Sequence, residues 1–265
     1  MKIVVPIKQV PATTNVKIDP DSGTVIREGS SAVVNPLDLY AIETALRLRE
    51  VHGGRIEVLS MGPLHAERAI REAIAMGCDE GHLVSDRSFA GADTWSTSYV
   101  LSQAIRSLFP IDLIVTGERA TDGDTGQVGP GIASWLDLPV ATYVAKIVDI
   151  DPQDRSIVVE RLVEEGYQIV RLRLPALISV VKEIAVPRLP TLRGKKRALQ
   201  AEVHLMTREG MELERANLGL KGSPTKVVAI RKPRVSRGGR VVTAYDDVPS
   251  AVAELIKFLR ERNAI

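Results

Sequence analysis

Cysteine is nearly absent from these 265 residues: Cys78 stands alone. That excludes an internal disulfide and any cysteine-built metal site, and it points to a reducing compartment. Aromatic residues amount to 4%, too few for the stacking platforms that hold single-stranded nucleic acid. The net charge is only +2, so no strong field directs the chain to nucleic acid or a membrane surface. No apolar run is long enough for a transmembrane segment, and the opening MKIVVPIKQV breaks at Pro6 and Lys8, too early for a signal peptide. The expected location is cytoplasmic. Catalytic signatures are missing as well: there is no GxSxG elbow, no HExxH and no paired-carboxylate motif. His52, His65, His82 and His204 share no metal-ligand spacing, and Cys78 follows a helix C-terminus, where nothing favours a thiolate. No catalytic residue and no metal ligand are assigned.

What is present is the mixture of a globular protein, 45% hydrophobic and 26% charged. Apolar runs at Ile3–Ile7, Arg55–Met61, His82–Val84 and Leu113–Val115 alternate with helical periodicities. The first of these begins at Asn35-Pro36, with Asn35 as cap and Pro36 in the first turn, and runs to His52 before Gly53-Gly54. Others cover Ala66–Met76, stopped by Gly77, and a stretch from Asp93 or Thr94 through Leu108. Lys8–Thr14 is expected to be loop, and Val16–Ile18 with Thr24–Ile26 a small β excursion. After Val140 the grammar becomes antiparallel, with strands at Val144–Ile150, Ser156–Leu162, Tyr167–Leu174 and Ala176–Val181. Val186–Arg197 is an exposed basic loop leading to a helix, Thr207–Pro224 irregular, Lys226–Ile230 a short strand and Asp247–Arg262 an amphipathic helix. The fold class is therefore α/β: a Rossmann-like, doubly wound, mostly parallel sheet with an additional antiparallel section and a C-terminal helical arm. Residues 1–232 form the α/β domain, and 233–265 the linker and arm. In such sheets ligands sit beyond the carboxyl ends of the strands, so Pro6–Val10, Ser60–Gly62 and Gly117–Gln127 should face one crevice.

The segment DLIVTGERATDGDTGQVGPGIASWL, Asp112–Leu136, organises the rest. A short buried strand ends in Thr116-Gly117; Gly123, Gly126, Gly129 and Gly131 follow, with Thr125 at the expected helix cap before Val128, Ile132, Trp135 and Leu136. A strand, a glycine loop and a helix start present unpaired N–H groups and the positive end of a helix dipole, which suits a phosphate. The competing reading is an ordinary βα loop, because no Walker lysine follows and GxGxxG is absent. Asp122 and Asp124 would more readily meet a ribose hydroxyl or backbone than a metal. A nucleotide site without a catalytic set implies either a structural or regulatory nucleotide, or a cofactor that carries the chemistry.

The motifs IVVPIKQVP (Ile3–Pro11), VVNPLDLYAIETALRL (Val33–Leu48), VLSMGP (Val58–Pro63), AMGCDEG (Ala75–Gly81), DGDTGQVGP (Asp122–Pro130) and VERLVEEGYQIVRLRLPALIS (Val159–Ser179) resemble the beta subunit of electron-transfer flavoproteins over essentially the whole chain. The resemblance implies pairing with an alpha subunit that binds most of one FAD, approached by the loop at Ala12–Thr14. It also implies an adenine nucleotide held by this chain. In housekeeping members that nucleotide is a structural AMP; in bifurcating members it is a second FAD, which takes a hydride from NADH and sends its electrons along two routes. The contacts implied are Pro6, Lys8, Asn35, Pro36, Asp38, Met61, Gly62, Gly117, Arg119, Ala120, Asp122, Gly123, Asp124, Thr125, Gly126, Gln127 and Val128. AMP-type members resemble DDDxNQTGQ in this loop and bifurcating members DGDTAQVGP, so Gly123 and Gly126 favour FAD. The departures are Gly126 in place of alanine and Pro6 in place of a small residue or cysteine.

Val186–Arg197 is similar to the family's recognition loop, with Leu192 as the apolar anchor and Arg188, Thr191, Arg193, Lys195 and Lys196 around it. The partners implied are an acyl-CoA dehydrogenase, a ferredoxin or a quinone oxidoreductase, and the arm from Asp247 would embrace the alpha subunit. The expectation is a subunit of an NADH-oxidising, bifurcating flavoprotein with no complete active site of its own. The alternatives are an AMP-bound electron shuttle and, in another class, a nucleotide-sensing module.

Overall fold

The computed structural model describes residues 1–12, 17–18, 25–26, 32–228, 241–245 and 247–265. Its elements in chain order are β1 (Lys2–Pro6), β2 (Gln9–Pro11), β3 (Lys17–Ile18), β4 (Val25–Ile26), β5 (Ala32–Val34), α1 (Asp38–His52), β6 (Arg55–Met61), α2 (Glu67–Met76), β7 (Glu80–Val84), α3 (Thr94–Arg106), β8 (Leu113–Gly117), α4 (Val128–Leu136), β9 (Val140–Asp151), β10 (Ser156–Val163), β11 (Gly166–Arg173), β12 (Ala176–Val180), α5 (Leu192–Gln200), β13 (Val203–Met206), α6 (Gly219–Gly222) and α7 (Val248–Glu261). The chain divides into two compact units, Met1–Val228 and Ala229–Ile265. The boundary expected at 232/233 lies outside the described residues.

Among the described residues the main sheet has nine strands in the order β11-β10-β9-β12-β8-β1-β6-β7-β13. From β12 to β13 the neighbours run parallel, and β9–β10–β11 form the antiparallel extension. Strands β1, β8 and β12 are apolar on both faces because helices cover both sides. On one face Ile3, Val5, Val58, Leu113, Val115 and Ile178 pack with Ala41, Ile42 and Ala45 of α1. On the other, Val4, Leu59, Ile114 and Leu177 pack with Val100, Ala104 and Ile132 of α3 and α4. The chain builds outward from β1 through β6 to β7, then α3 carries it back to β8 on the far side of β1. The order therefore reverses between β1 and β8, where ligands of such folds collect.

Several expectations are revised. Gln9–Pro11 is not loop but a short ladder against Ala32–Val34, where a proline is tolerated at the edge. Val16, Thr24 and the turn between them lie outside the described residues, although Lys17–Ile18 does pair with Val25–Ile26. Ala176–Val180 belongs to the parallel part: five buried residues in a row fit only a central strand, between β8 and β9. Val203–Met206 adds an edge strand that its weak alternation did not announce. Lys226–Val228 forms no strand, and the rest of that stretch is outside the described residues. In the second unit, Asp247 caps α7 by accepting from Ser250 N at 3.1 Å, and Pro249 lies in the first turn, as the Asp-Val-Pro entry implies.

At the amino end of the sheet, Glu57, Glu80 and His82 bring potential ligand atoms within 4.8 Å of one another. Lys2 and Arg55 already occupy the Glu57 carboxylate at 3.1 and 2.7 Å, and His82 Nε2 lies 3.0 Å away. Burial would raise the Glu57 carboxyl, but hydrogen bonds from His82 and Lys2 outweigh it and hold the group down at about 2. Its folded value is thus below the unfolded one, so the stability it contributes is full above pH 4.5 and is lost as pH falls towards 2. Wild type should lose about 3 kcal/mol over that window, whereas Glu57→Gln, measured by urea unfolding against pH, should show a flatter profile. Parallel profiles would refute this.

Candidate functional site

The carboxyl ends of β1, β6 and β8 open on the reversal point, and the loop after β8 forms one wall. Its base is tied together by two buried side chains. Asp38, 7% exposed, accepts from Lys8 N at 2.7 Å and also from Asn35 and Gly117 N–H. Burial pushes its carboxyl up to about 7, against the pull of these donors and the Lys8 charge. Gly117 must be glycine here, because an added β-carbon would lie 2.5 Å from Asp38 Oδ1 and 2.8 Å from the Leu37 backbone. Asn35 is fully buried; its Nδ2 donates to Arg119 O at 2.9 Å, and its Oδ1 accepts from Thr121 N at 3.1 Å. Asn35 was expected to cap α1. Instead the cap position is Leu37, with no side-chain cap bond, and the Asn35 amide grips the loop as a neighbouring strand would.

The loop climbs from there into solvent. Asp124 adopts φ +54° and Gly126 φ +63°, two left-handed turns that delay the helix, so Gln127 rather than Thr125 takes the cap position of α4. No side chain caps that end, so its N–H groups remain available to an anion. The loop's cations are paired internally: Lys8 Nζ lies 2.7 Å from Asp122, and Arg119 Nε lies 2.9 Å from Asp124. A β-carbon at Gly123 would meet nothing within 4 Å. Beneath, Thr116 Oγ1 is buried without a hydrogen-bond partner among the described residues, 2.9 Å from where a β-carbon on Gly129 would sit, and Ser60 Oγ is likewise orphaned on the opposite face of the sheet. The orphaned Thr116 hydroxyl under a bare helix start and an open glycine loop fits a phosphorylated ligand.

Of the expected contacts, Pro6, Lys8, Asn35, Asp38, Met61, Gly62, Gly117, Arg119 and Ala120 come to this rim or its base, together with Asp122–Val128. Pro36 is exposed beside Asn35, and of Ala12–Thr14 only Ala12 is described. The sequence placed Ser60 at the crevice only as part of Ser60–Gly62, and it did not point to Thr116 or Tyr143 as site residues. Tyr143 reaches the loop from β9, with its hydroxyl 3.7 Å from where a β-carbon on Gly126 would be. A separate concavity of about 630 Å³, lined by Tyr99, Arg106, Trp135 and Glu212, opens between α3, α4 and the 212–214 segment, away from this rim.

The second set lies at α5. Leu189 and Leu192 are each 86% exposed, and Arg193, Lys195 and Lys196 are exposed around them. Thr191 caps the helix by accepting from Gly194 N at 2.9 Å. Arg188 turns inward onto buried Glu43, donating through N, Nε and Nη2 at 2.8–3.1 Å. Hydrogen bonds from Arg188 and Arg47 overcome burial and keep the Glu43 carboxyl low, while Glu43 and Glu50 raise the Arg188 guanidinium.

The profile described as "Electron transfer flavoprotein domain" matches residues 22–208. The electron transfer flavoprotein subunit beta of Thermoanaerobacterium thermosaccharolyticum is 46% identical over the full length of both chains. The chain belongs to the electron-transfer flavoprotein beta-subunit family. Other members include subunit CarD of the caffeyl-CoA reductase-Etf complex of Acetobacterium woodii, 40% identical with both chains fully covered. Protein FixA of Azotobacter vinelandii is 43% identical over 96% of this chain and 92% of its own. As a family member the chain is one subunit of an electron-transfer flavoprotein and pairs with an alpha subunit. No helix among the described residues is long and apolar enough to cross a membrane.

Proposed function

We propose that this subunit holds an FAD in the crevice between β1 and β8 and, with its alpha subunit, serves an NADH-oxidising flavoprotein that divides electrons between two acceptors. The observation that carries the reading is the wall of the crevice: Gly123 faces open space and Gly126 is left-handed, so neither position projects a side chain where a diphosphate would lie. Bound there, FAD would supply the hydride and electron chemistry. The protein's own part is to seat it, with backbone N–H groups of Gly123–Val128 towards the phosphates and Asp122 or Asp124 towards a hydroxyl. Residues Leu192, Arg193, Lys195 and Lys196 form an apolar anchor with a basic rim for a redox partner, whether dehydrogenase, ferredoxin or quinone oxidoreductase, and helix α7 is the arm for the alpha subunit. The cytoplasm is the proposed location.

A second reading has its own support. Lys8 and Arg119 are both neutralised within the loop, which suits the smaller charge of a monophosphate: AMP in a shuttle that passes electrons without dividing them. Counting the flavin and AMP released on denaturing the purified complex separates the two. Two flavins per heterodimer support the first, and one flavin plus one AMP the second. Gly123→Asp should fit the fold without strain yet put a carboxylate against the second phosphate, and the complex should then retain about one flavin. Full retention of two flavins in that variant would overturn the proposed role of the loop.

A further inference from the structure

A bulky residue in a left-handed backbone conformation is rare, and it persists only where its surroundings enforce it. Tyr143 is such a residue, at φ +57°. It sits in a bulge of the parallel ladder: Ala141 pairs with Ile178 and Val144 with Val180, so two steps of β12 oppose three of β9. The bulge is fastened on both sides. Arg161 donates to Thr142 O at 3.0 Å and to Thr142 Oγ1 at 2.9 Å, and Ser179 Oγ accepts from Tyr143 N at 3.3 Å. What this geometry produces is an aromatic side chain left 43% exposed at the carboxyl rim, its hydroxyl over the turn at Gly126. Among the described residues that hydroxyl has no hydrogen-bond partner. It lies just ahead of α4, whose first N–H groups are uncapped, and the nearby cations Lys8 and Arg119 are already engaged with Asp122 and Asp124. The missing side chain of Gly126 leaves its approach open.

We infer that Tyr143 is a nucleotide-positioning residue, whose phenol donates a hydrogen bond to the adenosine-side phosphate common to AMP and FAD. The inference rests on nucleotide occupancy of the crevice proposed above. It gives the strained bulge a purpose: an unstrained β9 would carry the side chain of residue 143 along the sheet face instead of over the loop.

The test uses the purified alpha–beta complex as wild type, Tyr143→Phe and Tyr143→Gly. AMP and FAD released on denaturation are quantified separately, and the loss of each is followed through repeated desalting. Tyr143→Phe, which keeps ring and backbone, should lose this subunit's nucleotide about ten- to hundredfold faster, the range for a hydrogen bond to a charged group. Tyr143→Gly, which relieves the left-handed conformation, should lose it as fast, while the thermal midpoint of the stripped complex stays level or rises. Wild-type loss rates in Tyr143→Phe overturn the inference, as does a lowered midpoint in Tyr143→Gly, since either makes Tyr143 structural only. A wild-type complex that yields no adenine nucleotide beyond the alpha-subunit flavin overturns the crevice reading itself, and the wild-type arm alone shows this.

Discussion

Changing Asn35 to aspartate, an exchange of one amide nitrogen for oxygen, is expected to release the nucleotide proposed for the crevice and to cost about 3 kcal/mol at neutral pH. The wild-type amide donates to Arg119 O and accepts from Thr121 N, joining α1's entry to both sides of the loop chain at full burial. Aspartate preserves the acceptor but turns a second carboxylate towards the Arg119 carbonyl and towards Asp38, which depends on Asn35 as one of its donors. Two acids facing one another without water disfavour the folded state most when both are charged, so part of the loss should return as pH falls. Asn35→Ala should cost less, about 2 kcal/mol, because it leaves orphaned polar groups without adding charge. Urea unfolding and the adenine nucleotide content of the purified complex read both effects. Wild-type midpoint and content in Asn35→Asp would show that the loop stands without this clasp.

How far the sequence announced this arrangement depends on the kind of contact involved. Leu113–Gly117 and the helices that cover it were legible because burial on two faces leaves an uninterrupted apolar run and periodicity marks the covering helix, whereas Ala176–Val180 was legible as a strand but not as a parallel one. The glycine loop was legible because its residue types are unusual. The role of Asn35 was misread, since Asn-Pro before a helix satisfies the local rule for a cap while its amide has a tertiary use 84 residues away. The start of α4 was misplaced by two residues for a related reason: the left-handed turns at Asp124 and Gly126 postpone a helix that Thr125 could have capped. Tyr143 gave no signal, because a bulge is a mismatch between two strands and neither strand's sequence contains it. Arg188 appeared in the sequence as one of several basic residues in an exposed stretch, and only the fold reveals the buried acid opposite it.

That acid carries the second large prediction. Glu43 is 3% exposed on α1, where it accepts three hydrogen bonds from Arg188 and one from Arg47 at 2.9 Å. Arg188 in turn reaches Glu50 at 2.5 Å, so the chain leading to α5 is pinned to α1 at the point where its apolar residues begin to protrude. Glu43→Ala leaves two guanidinium groups without their shared partner and frees the Arg188 backbone, which should cost about 3–5 kcal/mol. The functional consequence follows from entropy. Leu189 and Leu192 can serve as an anchor only if their position is fixed before the partner arrives, because an anchor ordered on binding gives up affinity to that ordering. Electron exchange with the redox partner proposed to dock at α5 should therefore slow in Glu43→Ala at temperatures where the variant remains folded, with the proposed nucleotide retained as in wild type, since the crevice is built from other contacts. Leu192→Ala should slow the same step without moving the unfolding midpoint, because that side chain is in solvent. The pair separates a presented anchor from a merely stabilising ion pair: equal electron-exchange rates in wild type and Glu43→Ala would leave the clamp with a structural role alone.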